Sequence, residues 1–249
     1  MTGIDWGLLA APFAAGLLVL ATHVPLGVEV LRRGIIFIDL AIAQVAALGV
    51  IAAGLAGLRE GWAAQLAAGA AALAGALLLT GVEKRWPDIQ EALIGLLFVT
   101  AAAAGILLLA NNPHGGEHLK DLLAGQILWV SWPQVGALAM LTALLLTLWL
   151  TAGRRLGNIG FYGVFALAVT SSVQLVGVLL VFASLIAPAV ALRRARGRRL
   201  PLSWLLGAAG YGGGLLLSAI FDLPAGAAIV CCLVAIAALF LLAQRADAA

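Results

Sequence analysis

The sequence predicts an all-α protein, a polytopic transmembrane helical bundle, and three observations predict it. Of the 249 residues, 64% are hydrophobic and only 10% are charged, whereas soluble domains carry about a quarter charged residues, and no soluble fold of this size hides so much apolar surface. The apolar residues form continuous runs rather than alternating, which argues against barrel strands. Nearly every run has the roughly 20 residues that a helix needs to cross a hydrocarbon core about 30 Å thick.

The runs cover residues 6–26, 35–58, 62–82, 92–110, 132–152, 160–192, 204–220 and 225–243. The first has no basic leader and no small-residue cleavage site, so it is expected to be a retained span. All but 160–192 have the length of one crossing. That run would be about 50 Å long as a single straight helix, so it either tilts strongly or breaks into two short helices near Gly177.

Charge separates the two. Arg32-Arg33, Lys84-Arg85, Arg154-Arg155 and the five arginines within 193–199 are the basic gaps, and the positive-inside rule assigns all of them to the cytoplasm. They share one side only if 160–192 breaks. The prediction is therefore about nine helical segments, with the N-terminus outside and the C-terminus inside. The outer gaps are then Arg59-Glu60, residues 111–121, a turn near Gly177 and residues 221–224.

The same pattern accounts for the net charge of +3. No basic patch interleaved with aromatics is present, so nucleic acid is not expected as a partner. Cys231 and Cys232, adjacent in an apolar run, read as packing residues. Glycine is abundant, in patches such as 69–76 and 210–214, and small residues let helices approach closely in lipid. There is no fixed-period repeat, no soluble domain and no P-loop, which places any ATP hydrolysis on another chain.

The chemistry-bearing residues inside the runs are few. Asp39 is the carboxylate of run 35–58, with Gln44 five residues on. An ionisable group in a span costs a few kcal/mol, about 3 on insertion scales, so it usually faces a bundle interior or an aqueous path. The alternative is an interfacial Asp39 paired with Arg33. His23 precedes Pro25, a proline that can end or kink the first helix and leave polar groups lining a cavity. His114 and His118 share the expected outer loop with Glu117 and Asp121, a plausible collector of divalent metal, or simply a solvated loop. Asp88 and Glu91 have the spacing of a capping box for a helix beginning near Ala92. No nucleophile, base and oxyanion set is visible, so no catalytic residue, cofactor-binding residue or enzyme activity is expected.

The string Arg32-Arg33-Gly34-Ile35-Ile36-Phe37-Ile38-Asp39, continuing through Gln44 to Ala47-Leu48-Gly49, resembles the signature of the zinc/manganese/iron-type family of ABC transporter permeases. Members show arginine, an aromatic, an aspartate, a histidine four residues later, then alanine, leucine and glycine. Residues 172–189, a glycine and apolar run closing on Pro188-Ala189, and residues 220–230, with Asp222, Pro224 and Gly226, resemble two later family segments in the same order. There are two departures. Ala43 stands where the family has histidine, and Gln44, one position further, lies roughly 140° from Asp39 on a regular helix; a one-residue π-bulge would bring them to one face. The acidic docking segment of the family is also shortened here to a basic loop, residues 153–160.

The resemblance implies a single permease domain over 1–249 in the cell membrane of a bacterium, inner or plasma. It implies a homodimer with a translocation path at the two-fold interface. The partners it implies are a cytoplasmic ABC ATPase, an extracytoplasmic metal-binding protein, a second copy of the chain and the lipid bilayer. No permanently bound cofactor is expected; the cargo is a divalent metal, zinc first, manganese second and iron third. Asp39 is the first candidate for the metal path, then Gln44 and His23, with His114 and His118 as collectors. The competing reading is an ion-coupled secondary carrier or channel without an ATPase. Such carriers usually need more intramembrane ionisable groups and matched broken helices.

Overall fold

The computed structural model describes residues 6–57, 62–109, 125–193 and 199–246. Among them are α1 (Trp6–Arg33), α2 (Ile38–Leu55), α3 (Trp62–Arg85), α4 (Gln90–Leu109), α5 (Trp132–Val176), α6 (Val178–Ala191), α7 (Arg199–Phe221) and α8 (Ala225–Ala246), with short 3-10 turns at Pro87–Ile89 and Ile127–Trp129 and no strand. Helix α5 carries a non-helical residue, Gly157, at φ 56° and ψ −138°. Its arms Trp132–Thr151 and Gly157–Val176 each have crossing length, which makes eight apolar helices long enough to span a bilayer.

The packing is that of a membrane protein. In α3 the buried face is Ala68, Ala72, Gly75, Ala76 and Leu79, while Leu66, Leu73, Leu77 and Leu78 point outward. Small residues go inside because helices associate in lipid through close approach, and the large aliphatics dissolve in the lipid tails. Trp6, Trp62, Trp86, Trp129 and Trp132 are exposed at helix ends or turns, where indole is favoured at the headgroup level.

The break expected near Gly177 is present. Gly177 has φ 84° and ψ 159°, a region open essentially only to glycine. A β-carbon on Gly125, which crosses here, would collide with the backbone at Val176 and Gly177. Only the second piece is short: α6 has 14 residues, or about 21 Å.

Two sequence expectations are corrected. Helix α1 neither ends nor visibly breaks at Pro25 but runs to Arg33 with Pro12 and Pro25 inside. Proline removes one backbone donor, whereas ending a helix in lipid strands several groups, so continuing is the lesser cost. Residues 153–160 form no loop: they are helical on both sides of Gly157, and Trp149 meets Phe161 across the break with ring centroids 5.8 Å apart.

The chain divides into two compact units. The first holds residues 1–33, 123–143 and 175–249, and the second 34–122 and 144–174. In the first, α1 packs on α6 and α7, and α8 on α6 and α7. Gly27 makes the α1 and α6 backbones touch, since a β-carbon there would strike the Leu185 carbonyl. In the second, α2 packs on α3 and α4, and Gln90 at the start of α4 donates from Nε2 to the Tyr162 hydroxyl at 2.6 Å.

Candidate functional site

The polar centre of the second unit is the N-terminus of α2. The chain leaves α1 through Gly34 at φ 71° and closes a turn with Ile38 N–H on the Ile35 carbonyl, 3.3 Å. Phe37 is the N-cap and offers no side-chain cap, although helices begin with unpaired N–H groups that a Ser, Thr, Asp or Asn ordinarily satisfies. A carboxylate from another helix does so instead: Phe37 N–H donates to Glu91 Oε1 at 3.2 Å. The spacing of Asp88 and Glu91 predicts a cap on their own helix, and the structure corrects this, turning Glu91 to the start of α2.

Asp39 lies in the first turn of α2 and is 1% exposed. Neither carboxylate oxygen has a hydrogen-bond partner, and Glu91 Oε2 is also buried without one. No donor reaches either oxygen in hydrogen-bonding geometry. Arg33 is engaged elsewhere: its Nε donates to Glu29 at 2.7 Å, and Arg32 donates to the same oxygen at 2.6 Å. Asp39 is therefore the buried carboxylate of the first alternative, not the interfacial partner of Arg33. A buried, unpaired carboxylate costs several kcal/mol even after relaxation, and residues kept at such cost are functional candidates.

Gln44 does not share the Asp39 face. The helix is regular α from Ile38 to Leu55 with no π-turn, so five residues leave the two roughly 140° apart. The position one turn beyond Asp39 is Ala43, 1% exposed and without a donor atom. Gln44 itself is half-buried.

His23 belongs to the first unit and sits within α1, fully buried, rather than near a helix end. Its Nδ1 lies 2.9 Å from the Val19 carbonyl and 3.0 Å from Thr22 Oγ1. A carbonyl only accepts, so Nδ1 carries the proton. Nε2 is left with a free lone pair, buried and unpartnered. His114 and His118 lie outside the described residues. Among the described residues, no three or more His, Cys, Asp or Glu side chains gather as a metal cluster.

The sequence reading missed Glu91 as part of this centre. A carboxylate opening an apolar run was a signal, but its partner was 54 residues away.

Eight apolar helices of crossing length among the described residues, one of them carrying a buried carboxylate, define a multi-pass membrane protein. The chain belongs to the ABC 3 transport family, whose sequence profile matches residues 6–161 and 154–244, and it is a permease of the metal-transporting type that the Asp39 motif resembles. The fold agrees with a solved structure titled PsaBC from Streptococcus pneumoniae in complex with Fab. That likeness has a TM-score of 0.71 at 22% identity and covers 94% of this chain and 89% of the other. No curated protein matches the sequence.

Proposed function

We propose that the chain works as one membrane-spanning domain of an ATP-driven importer, passing a divalent metal cation of the zinc, manganese or iron class. A cytoplasmic ATPase chain drives it, an extracytoplasmic binding protein delivers the metal, and a second copy completes the path. The observation that carries this reading is Asp39. An anionic side chain held in a span at the cost of its own desolvation, with both oxygens unpartnered, suits a transient cation ligand. Oxygen donors fit divalent metals, and a single carboxylate releases them more readily than a closed cage. His23 Nε2, oriented by its Nδ1 bond, is a separate ligand candidate within the first unit. Gln44, on a different face of α2 from Asp39, joins it only if α2 rewinds by one residue.

The test is reconstitution in liposomes with the ATPase and binding protein, measuring metal uptake. Asp39→Asn is expected to cut uptake by at least about tenfold, as loss of a metal-site group does, with insertion and ATPase co-purification unchanged. Unchanged uptake in that variant removes Asp39 from the path. Uptake that persists without any ATPase supports a carrier or channel instead.

A further inference from the structure

Asp39 and Glu91 both stand at the start of α2 in the second unit, and the inference from this rests on the reading of Asp39 as a path residue. We propose that Asp39 and Glu91 together make an all-oxygen cation site at the N-terminal end of α2, one that favours a hard divalent ion, manganese ahead of zinc.

The two side chains come from different helices to the same turn. Glu91 is fixed there by the Phe37 N–H at 3.2 Å, and Asp39 stands two residues further along. Both side chains therefore stand at the N-terminal end of α2. Three oxygens, Asp39 Oδ1 and Oδ2 and Glu91 Oε2, are buried with no hydrogen-bond partner, and Asp39 is 1% exposed. A helix N-terminus offsets only a small part of the cost of such charge. A buried carboxylate and a half-buried one that together leave three shielded oxygens without a hydrogen bond are therefore an incomplete arrangement. A divalent cation completes it and cancels both charges.

The donor set narrows the cation. Zinc sites are built mainly from imidazole and thiolate, with three or four protein ligands. The residue one turn from Asp39 is Ala43, and no third His, Cys, Asp or Glu joins the pair among the described residues. Two carboxylates with water in the remaining positions instead suit hard, hydrated ions.

The experiment uses the permease–ATPase complex in lipid nanodiscs, titrated with manganese chloride alone and followed by the electron paramagnetic resonance of free manganese, with zinc chloride as competitor. Glu91→Gln keeps an oxygen for the Phe37 N–H and removes the charge. Manganese affinity is expected to fall by about tenfold or more, with zinc competition falling less. Glu91→Asp retains the charge on a shorter arm and is expected to bind between wild type and Glu91→Gln. It carries the test if the amide variant unfolds. If Glu91→Gln binds manganese like wild type while Asp39→Asn does not, Glu91 only caps α2 and the pair is refuted, with the Asp39 reading intact. If neither variant loses manganese, both readings fail. Zinc displacing manganese from the wild type at substoichiometric amounts overturns the stated preference.

Discussion

The two compact units differ in the buried polar groups they leave unpaired. In the first, hydroxyls are mostly paid off locally by backbone carbonyls or by each other. Ser184 donates to the Leu180 carbonyl at 2.6 Å and meets the Tyr211 hydroxyl at 2.8 Å. Ser218 bonds the Leu223 carbonyl at 2.7 Å, and Trp204 Nε1 donates to Leu20 at 3.1 Å. The exceptions there are neutral atoms, His23 Nε2 and Gln244 Oε1. The second unit satisfies Thr80 and the Gln90–Tyr162 pair but leaves Thr170 Oγ1 and carboxylate oxygens of Asp39 and Glu91 without a hydrogen bond. Satisfied neutral groups hold helices together, while an unsatisfied charge has no structural return. We read that difference as scaffold in the first unit against the proposed site in the second.

The comparison is sharpened most by giving the second unit the donor it lacks. Ala43→His adds an imidazole on the Asp39 face one turn along, and imidazole suits zinc. Zinc affinity of the reconstituted complex is expected to rise on the order of tenfold, about 1.4 kcal/mol, with manganese affinity changing less. Ala43→Leu controls for the added volume. Equal gains in both variants, or no gain with histidine, would show that Ala43 does not face the cation.

A smaller effect is expected in the first unit, where the polar pair is structural. Ser184→Ala and Tyr211→Phe, combined in a double-mutant cycle on unfolding in mixed micelles, should couple by about 0.6 kcal/mol, the average for hydrogen bonds between membrane helices. Metal affinity should stay at the wild-type value in both. Loss of metal binding without loss of stability would move this pair from scaffold to site and collapse the contrast between the units.

How far the sequence revealed this depended on the range of each interaction. The spans and the break at Gly177 were legible, because crossing length and charge sidedness are properties of contiguous residues. So was Asp39, a lone carboxylate in an apolar run. The continuation of α1 past Pro25 was not, since proline reads as a terminator by the rules of water, and lipid reverses the balance. Glu91 was hidden for a different reason: a helix-start carboxylate satisfies a local rule, and nothing local shows that its hydrogen bond goes to Phe37. The two loop histidines, His114 and His118, fall outside the described residues.

Gln44 gives the smallest expected effect and the strictest check on helix geometry. Its place near the motif suggests a substitute for the histidine the family carries one residue earlier, and that substitution works only if a π-bulge rotates it onto the Asp39 face. Helix α2 stays regular through both positions, so the Gln44 amide projects from another flank. An amide is also a weaker partner than imidazole for a borderline metal. Gln44→Ala should therefore leave manganese and zinc affinities within about twofold, the scale of substitutions that touch no special feature, while Asp39→Asn in the same nanodiscs loses binding. A loss comparable to that of Asp39→Asn would mean that α2 rewinds by one residue when metal binds, and the two-carboxylate site would then need a third ligand.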